Sequence, residues 1–273
     1  MIIRPITTLL PVHKATKFLD FKNSINSITF NQTVVPKEII ILVDGTVDLR
    51  IFNYINHLRI SFKFSKFLIV KFNINQGLGV VLNRGISLAK FDLILRCDSD
   101  DFSSKDRVKI LYDIYLKNKN ISVIDSAMLE KIDGKNYIRY IDEIKKNNIN
   151  FLKIRNPINH PAVLMKKKDV LKCGNYKKMP FFEDYYLWVR MIKQKFKFTG
   201  SNKTLVKTFV DNNFYTRRSG KKYLNNYKNF LLACLEIKLI NILEFNVLYY
   251  LRYFVLLSSK YYLIFFYKNL LRK

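Results

Sequence analysis

Short apolar runs alternate along this chain with segments in which apolar residues return every three or four positions. Ile6–Leu10, Glu38–Val43, Phe67–Val70, Asp92–Cys97 and Ala162–Met165 read as strands. Phe18–Ile28, the stretch from about Gly79 to Ala89, the segment carrying Val108, Leu111, Tyr112 and Tyr115, and Glu183–Gln194 read as helices. Ser103 and Asp106, three residues apart, have the spacing of a capping box ahead of the third of these helices. Strand and helix in alternation predict an α/β fold with a mostly parallel sheet and helices on both faces. From Ile121 the pattern loosens into shorter segments, with turn signals at Asp133-Gly134 and in the Asn-rich stretch Asn147–Asn150. There is no internal repeat and no long linker, which predicts one domain over residues 1–220 and a helical tail over 221–273.

Within that tail, Phe245–Tyr267 is strongly apolar and aromatic, interrupted by Arg252 and Lys260. A membrane-spanning helix needs about 20 mostly apolar residues, and each cation at its centre costs roughly 2.5 kcal/mol or more, so a span is disfavoured. Arg252, Lys260 and Lys268 advance by about 80° a step on a helix and so share one side. The pattern fits a helix lying in an anionic membrane interface with its cations snorkelling toward headgroups. A core or dimer helix fits it as well.

Lys and Arg number 48 against 21 Asp and Glu, a formal charge of +27. Such a charge attracts nucleic acid, an anionic membrane or a phosphorylated small molecule, and composition does not choose among them. Lys, Asn, Ile, Phe and Tyr are used freely throughout, so solvated surface is an equal reading of the excess. Cys97, Cys173 and Cys234 lie far apart and have neither disulfide-framework nor zinc-site spacing, which points to a reducing compartment. The N-terminal residues lack the apolar stretch and cleavage site of a secretory signal, so export is not expected.

The chemistry-bearing residues cluster in two places. Leu93-Ile94-Leu95-Arg96-Cys97 runs into Asp98-Ser99-Asp100-Asp101. A buried strand does not carry such charge along its length, so the acids belong at its carboxyl end, where open α/β sheets keep their ligands. Paired carboxylates of this kind suit Mn²⁺ or Mg²⁺ shared with substrate phosphates, although Asp-rich loops also serve as turns and caps. A second pair, Glu183-Asp184, opens a helix whose Leu187, Trp188 and Met191 follow Asp184 at three, four and seven residues. Asp184 therefore begins the inward stripe and faces the floor of a cleft. Acids also favour helix N-termini for the dipole alone, and that field would help keep Asp184 ionised.

Together these residues resemble a family 2 glycosyltransferase of the GT-A fold, of the bacterial surface-polysaccharide type. Leu10-Pro11-Val12, Val43-Asp44-Gly45, Asn75-Gln76-Gly77, Asn83-Arg84-Gly85 and Cys97-Asp98-Ser99-Asp100-Asp101 match its nucleotide-binding half, and Asn159-His160-Pro161 and Glu183-Asp184-Tyr185-Tyr186-Leu187-Trp188 its acceptor half. The resemblance implies donor contacts from Pro11, Val12, Asp44, Asn83, Asp98 and Ser99, metal ligation by Asp100 with Asp98, and Asp184 as catalytic base. Glu183, His160, Trp188, Arg217 and Arg218 would serve the acceptor or a diphosphate. Val43 stands where the family usually has another acid, and Leu82 where an Arg often precedes the Asn.

What this implies is an inverting transfer from a nucleotide sugar, UDP-linked by expectation, to a saccharide or lipid-linked acceptor. The expected place is the cytoplasm, peripheral to the inner face of the membrane, with no nucleic-acid partner. A sugar nucleotidyltransferase shares the sheet and the metal acids but needs a basic Gly-rich signature that Pro11-Val12-His13 does not offer. A non-enzymatic basic module that binds nucleic acid or membrane, its acids acting as caps, is the other alternative.

Overall fold

The computed structural model describes residues 1–132, 134–142, 147–210 and 218–257. Its strands are β1 (Ile2–His13), β2 (Val34–Asp44), β3 (Lys66–Phe72), β4 (Leu93–Arg96), β5 (Phe102–Ser103), β6 (Ile121–Ile132), β7 (Lys135–Arg139), β8 (Leu164–Lys166) and β9 (Lys197–Val210). The helices are α1 (Phe18–Ile28), α2 (Leu49–Ser61), α3 (Leu78–Leu88), α4 (Arg107–Lys117), α5 (Ile149–Ile154), α6 (Lys167–Lys172), α7 (Glu183–Lys193), α8 (Gly220–Glu236) and α9 (Ile242–Leu257). The strands form one sheet in the order β3-β2-β1-β4-β8-β6-β9-β5, with β7 paired to β6. β3, β2, β1 and β4 are mutually parallel, as are β6 and β9, while β8 runs antiparallel to both β4 and β6. The expected α/β fold with helices on both faces is therefore present, with the parallel character concentrated in the first half of the sheet.

The strands are buried on both faces, so consecutive side chains feed opposite cores. Leu9, Ile40, Leu42 and Ile94 enter the core beneath α3, α7 and α8. Leu10, Ile39, Ile41, Val43, Leu93 and Leu95 enter the one covered by α1, α2 and α4. By the same alternation Arg96 follows Ile94 onto the α7 side, a placement that decides the chemistry below.

Three details depart from the sequence pattern. Helix α2 buries only Ile51, Ile55 and Leu58, a stripe narrow enough to escape a periodicity reading, and starts on an Asp48 cap that accepts from the Arg50 amide at 2.9 Å. Helix α4 begins where expected, but not on a capping box: Ser103 accepts from the Arg107 guanidinium at 2.9 Å and Asp106 from the Thr33 hydroxyl at 2.7 Å. The loosened stretch after Ile121 is one strand of 12 residues. Its buried side chains mix apolar Ile121, Val123, Ile124, Ala127, Met128 and Ile132 with polar Ser122, Asp125, Ser126 and Glu130, so the apolar positions there are interrupted and form no long run. Asp133 of the expected turn lies outside the described residues.

The segment after residue 220 is bound into the main core. Tyr223, Tyr227, Phe230, Leu231 and Cys234 of α8 are buried in the same cluster as Leu9 and Trp188. Phe230 stacks on Phe182 and Tyr185 with ring centroids 5.1 and 4.7 Å away, directly at the start of α7. Such aromatic pairs add about 0.5–1.5 kcal/mol each beyond their buried area. Arg252 of α9 lies over the Tyr227 ring at 4.9 Å, which turns it inward onto α8 and corrects the expectation that it snorkels outward. Lys260 and Lys268 lie outside the described residues. Phe230→Ala is expected to cost about 3–5 kcal/mol of stability, seen as a lower midpoint in urea unfolding.

Candidate active site

The acid loop follows β4 at the carboxyl edge of the parallel strands. It is held there by backbone and hydroxyl bonds: the Cys97 amide donates to the Leu9 carbonyl at 3.1 Å, the Ser24 hydroxyl to the Asp98 carbonyl at 2.7 Å, and the Ser99 and Thr16 hydroxyls meet at 3.2 Å. Arg107, 1% exposed, donates to the Arg96 and Pro161 carbonyls at 2.6 and 2.7 Å and so pins the strand end to the segment before β8.

Arg96 itself is 1% exposed, and its guanidinium forms an ion pair with the Asp98 carboxylate. Burial opposes that charge, but Asp98 in contact, with Tyr176 and Asp101 nearby, holds Arg96 protonated above its ordinary range. The same positive charge acts on Asp100, Asp101, Glu183, Asp184 and His160. One buried cation thus lies within electrostatic reach of both acid groups read from the sequence. Arg96 itself was missed, although a single arginine inside Leu93-Ile94-Leu95-Arg96-Cys97 is the signal that could have found it.

The carboxylates differ in what they leave free. Asp100 stands exposed at the mouth, its pKa pushed up to about 6 by the surrounding protein and then by Asp98. Asp101 is buried, pushed further up by burial and by Asp98 and Asp100, and one of its oxygens has no hydrogen-bond partner. Glu183 is 8% exposed, burial raises it to about 7, and its Oε2 has no partner. Asp184 accepts from the Asn156 amide at 2.8 Å; burial raises its pKa while the Tyr185 amide, Arg96, Asn156 and Arg139 pull it down. Asn156 is in turn fixed through its carbonyl by Arg139 at 2.9 Å. The start of α7 meets α3 at Gly79, where an added Cβ would lie 2.4 Å from the Lys177 carbonyl oxygen and 3.1 Å from Glu183 Cβ.

On the donor side, Asp44 is buried, and its two carboxylate oxygens accept from the Gln76 and Gly77 amides at 2.6 and 2.9 Å, fixing the entry to α3. The next residue, Gly45, takes φ +81°, which L side chains rarely adopt. A pocket of about 250 Å³ opens beside them, lined by Lys14, Asp44, Gly45, Thr46, Asn73, Ile74 and Asn75. Lys14 and Asn73 were not singled out from sequence. Pro11 and Val12 are buried at the end of β1, opposite Leu42 and Val43 of β2. Asn83 spends its amide on the Tyr176 carbonyl at 2.8 Å.

Two residues expected at the acceptor prove to be core. Trp188 is 0% exposed, so its ring meets protein and not a cleft surface. His160 is buried and neutral, its Nε2 2.8 Å from the Tyr176 hydroxyl, because burial and Arg96 both disfavour its charge. Arg218 is half-buried, and its charge reaches Glu183. Arg217 lies outside the described residues. A larger cavity, about 660 Å³, is lined by Ile192, Lys193 and Phe196 at the opposite end of α7 from Glu183 and takes no part in this cluster.

Among the described residues no three Asp, Glu, His or Cys side chains converge into a complete metal cage. The acid loop nonetheless fits Mn²⁺ or Mg²⁺ of the shared kind, which one or two carboxylates hold together with substrate phosphates. Asp100 is exposed beside Asp98, and Asp101 has an oxygen without a hydrogen-bond partner, so oxygen ligands of the right type stand together there.

The sheet and its flanking helices are those of the GT-A fold. The chain belongs to glycosyl transferase family 2, whose profile matches residues 10–174, ending before the acid pair of α7. The UDP-Gal:alpha-D-GlcNAc-diphosphoundecaprenol beta-1,3-galactosyltransferase of Escherichia coli is 30% identical over 196 residues, 71% of this chain and 70% of that protein. Residues 1–349 of S. aureus TarS, in complex with UDP-GlcNAc, superpose with a TM-score of 0.66 at 13% identity, covering 85% of this chain and 67% of that one. The mannosyltransferase PcManGT from Pyrobaculum calidifontis, in complex with GDP-Man and Mn²⁺, superposes with a TM-score of 0.63 at 10% identity over 95% and 72% of the two chains. At these identities the structural likeness is one of fold.

Two outcomes follow from the electrostatics. Arg96 favours the ionised form of Glu183 and Asp184, so Arg96→Met is expected to move the acid limb of the activity–pH curve upward, with Arg96→Lys intermediate; turnover measured across pH checks this. Glu183 titrates near 7 when folded against an ordinary 4.5, so the folded chain binds that proton more tightly than the unfolded one. The stability this contributes is whole below the unfolded pKa and is lost as pH rises through the folded one. Glu183→Gln should therefore raise the Tm relative to the parent at about pH 8 and leave it unchanged at about pH 4.

Proposed function

We propose that this glycosyltransferase moves a sugar, with inversion, from a UDP-linked donor to a lipid-linked saccharide in surface-polysaccharide synthesis. The observation that carries the reading is Arg96, whose charge acts on the acid loop and on Glu183 and Asp184 alike. The donor and acceptor ends of one cleft are then acidic for different reasons. The similarity to an Escherichia coli galactosyltransferase named for a UDP-Gal donor and a diphosphoundecaprenol acceptor supports the choice of substrates. Family membership favours this reading over the nucleotidyltransferase and over a basic binding module.

In this reading the pocket of Lys14, Asp44, Thr46, Asn73 and Asn75 takes the nucleobase, beside Pro11 and Val12. Ser99 and Asn83 belong to the framework that carries that pocket, since each is bonded to protein. Asp98, anchored by Arg96, turns toward the ribose, and Asp100 with Asp98 would hold the divalent cation. When bound, that cation offsets the charge developing on the departing diphosphate.

Asp184 takes the proton from the attacking hydroxyl. Its raised pKa improves it as a base, and the Asn156 bond fixes which oxygen faces the acceptor. Attack from the side opposite the diphosphate inverts the anomeric centre in one displacement. Glu183 Oε2 accepts a hydrogen bond from an acceptor hydroxyl, and Arg218, with Arg217 beside it in sequence, supplies positive charge for a diphosphate. Asp100→Asn and Asp184→Asn are each expected to lower transfer from UDP-sugars by about a hundredfold or more while thermal unfolding stays near the parent's. Full transfer by either variant removes the assignment of that residue, and nuclear magnetic resonance of the product anomer tests inversion.

A further inference from the structure

Helix α9 has two unlike faces. Phe245, Leu248, Tyr249 and Leu256 pack against the main core, and Arg252 lies on that side over Tyr227. On the opposite side Leu243, Val247, Tyr250 and Phe254 recur at intervals of four, three and four residues and form a single line along the helix. They are 70, 50, 54 and 65% exposed, and Leu251 beside them 60%. A continuous apolar ridge of this kind on a folded chain marks a contact surface.

We propose that this ridge is where the protein docks onto an anionic lipid bilayer, lying in the interface without crossing it. No helix among the described residues is long and apolar enough to span. Three observations favour the bilayer over another occupant. The first is charge: from Ile237 to the end, five cations besides the inward-turned Arg252 (Lys238, Lys260, Lys268, Arg272, Lys273) accompany one acid, Glu244. That acid is already paired with Lys153 at 2.7 Å.

The second is the sequence beyond the described helix. Tyr261-Tyr262-Leu263-Ile264-Phe265-Phe266-Tyr267 is seven apolar or aromatic residues in a row, bracketed by Lys260 and Lys268. Such a run is apolar on all sides whatever regular element it takes, so covering the ridge with it would leave further apolar surface exposed. A bilayer interface accommodates the ridge of α9 and attracts a chain segment this rich in cations.

The third is continuity with the site. Glu244 of α9 pairs with Lys153 of α5, and two residues after α5 Asn156 holds Asp184. Helix α9 is thus joined through α5 to the residue that fixes Asp184, which deepens the reading of a lipid-linked acceptor and rests on it for its purpose. Its test needs no turnover.

Full-length protein would be mixed with vesicles of phosphatidylglycerol and phosphatidylethanolamine, or of phosphatidylcholine alone, and sedimented. Binding should prefer the anionic vesicles and fall by about tenfold or more in the combined variant Leu243→Ser, Val247→Asn, Phe254→Ser, with donor hydrolysis in solution unchanged. Tyr250→Trp serves as an independent probe if the combined variant unfolds: its fluorescence should be quenched by brominated acyl chains. Undiminished binding of a folded combined variant, an absence of quenching, or no binding by the parent overturns the proposal. So does a parent that is dimeric without lipid and a combined variant that is monomeric, which would assign the ridge to a second copy of the chain. Vesicle binding by protein lacking transferase activity would sink the enzymatic reading and leave the docking face standing.

Discussion

A guanidinium with almost no access to water must be paired, and the pairing of Arg96 dictates how the functional edge of this molecule is built. The strand period sends Arg96 to the side of the sheet covered by α7, where its neighbours are the acid loop below and the opening of α7 above. Removing either acid group would leave a buried charge undercompensated, and removing the arginine would leave several carboxylates repelling one another. The site is thus a single electrostatic object, although its parts come from positions 96 to 101 and 183 to 184. Arg107 works differently: it binds backbone carbonyls on two segments and fixes where the strand end lies, so that the ion pair has a defined place to form.

Holding α7 in position is a task for apolar contacts. Phe182, the residue before Glu183, is enclosed by Tyr223, Tyr227 and Phe230 of α8. The acid pair therefore takes its location from a helix some 40 residues later in the chain, and the segment after 220 is part of the catalytic scaffold. This also explains the inward turn of Arg252. Its guanidinium finds the face and hydroxyl of Tyr227, a better-defined partner than bulk water beside an apolar helix.

Much of this was legible in the sequence because the relevant residues are apolar runs and acids at strand ends and helix starts. Helix α1 matches its reading residue for residue, and β1 to β4 differ only in their ends. What escaped is what periodicity does not carry. The later strand β6 buries serines and acids among its apolar residues, so its hydrophobic trace is broken. Arg96 was passed over because a cation in an apolar run reads as an interruption until the opposing acids are known to be near. Asp44 and Asn83 carry motif identities that suggest ligand contacts, yet in the fold Asp44 holds the start of α3 and Asn83 ties the middle of that helix to the Tyr176 carbonyl. Motif identity offers Trp188 as an acceptor contact while its place on the inward stripe of α7 already favours the core, and full burial agrees with the core.

The acids of this edge are also a source of instability that the rest of the fold must offset. Asp100, Asp101, Glu183 and Asp184 are each harder to ionise than free carboxylic acids; burial is the first cause for Asp101, Glu183 and Asp184, and for Asp100 the surrounding protein and then Asp98. A protein selected only for stability would replace such groups with apolar ones or bond every oxygen, since an unpartnered buried acceptor costs about 1–3 kcal/mol. Here oxygens of Asp101 and Glu183 are left without partners. Such a cost is tolerable where a ligand relieves it, because anything that binds the folded form alone stabilises it. A cation bound at the acid loop would relieve repulsion among Asp98, Asp100 and Asp101, and a ligand hydroxyl at Glu183 would supply the missing donor. The strain and the binding capacity are consequently the same property, located at the one edge where the parallel strands end.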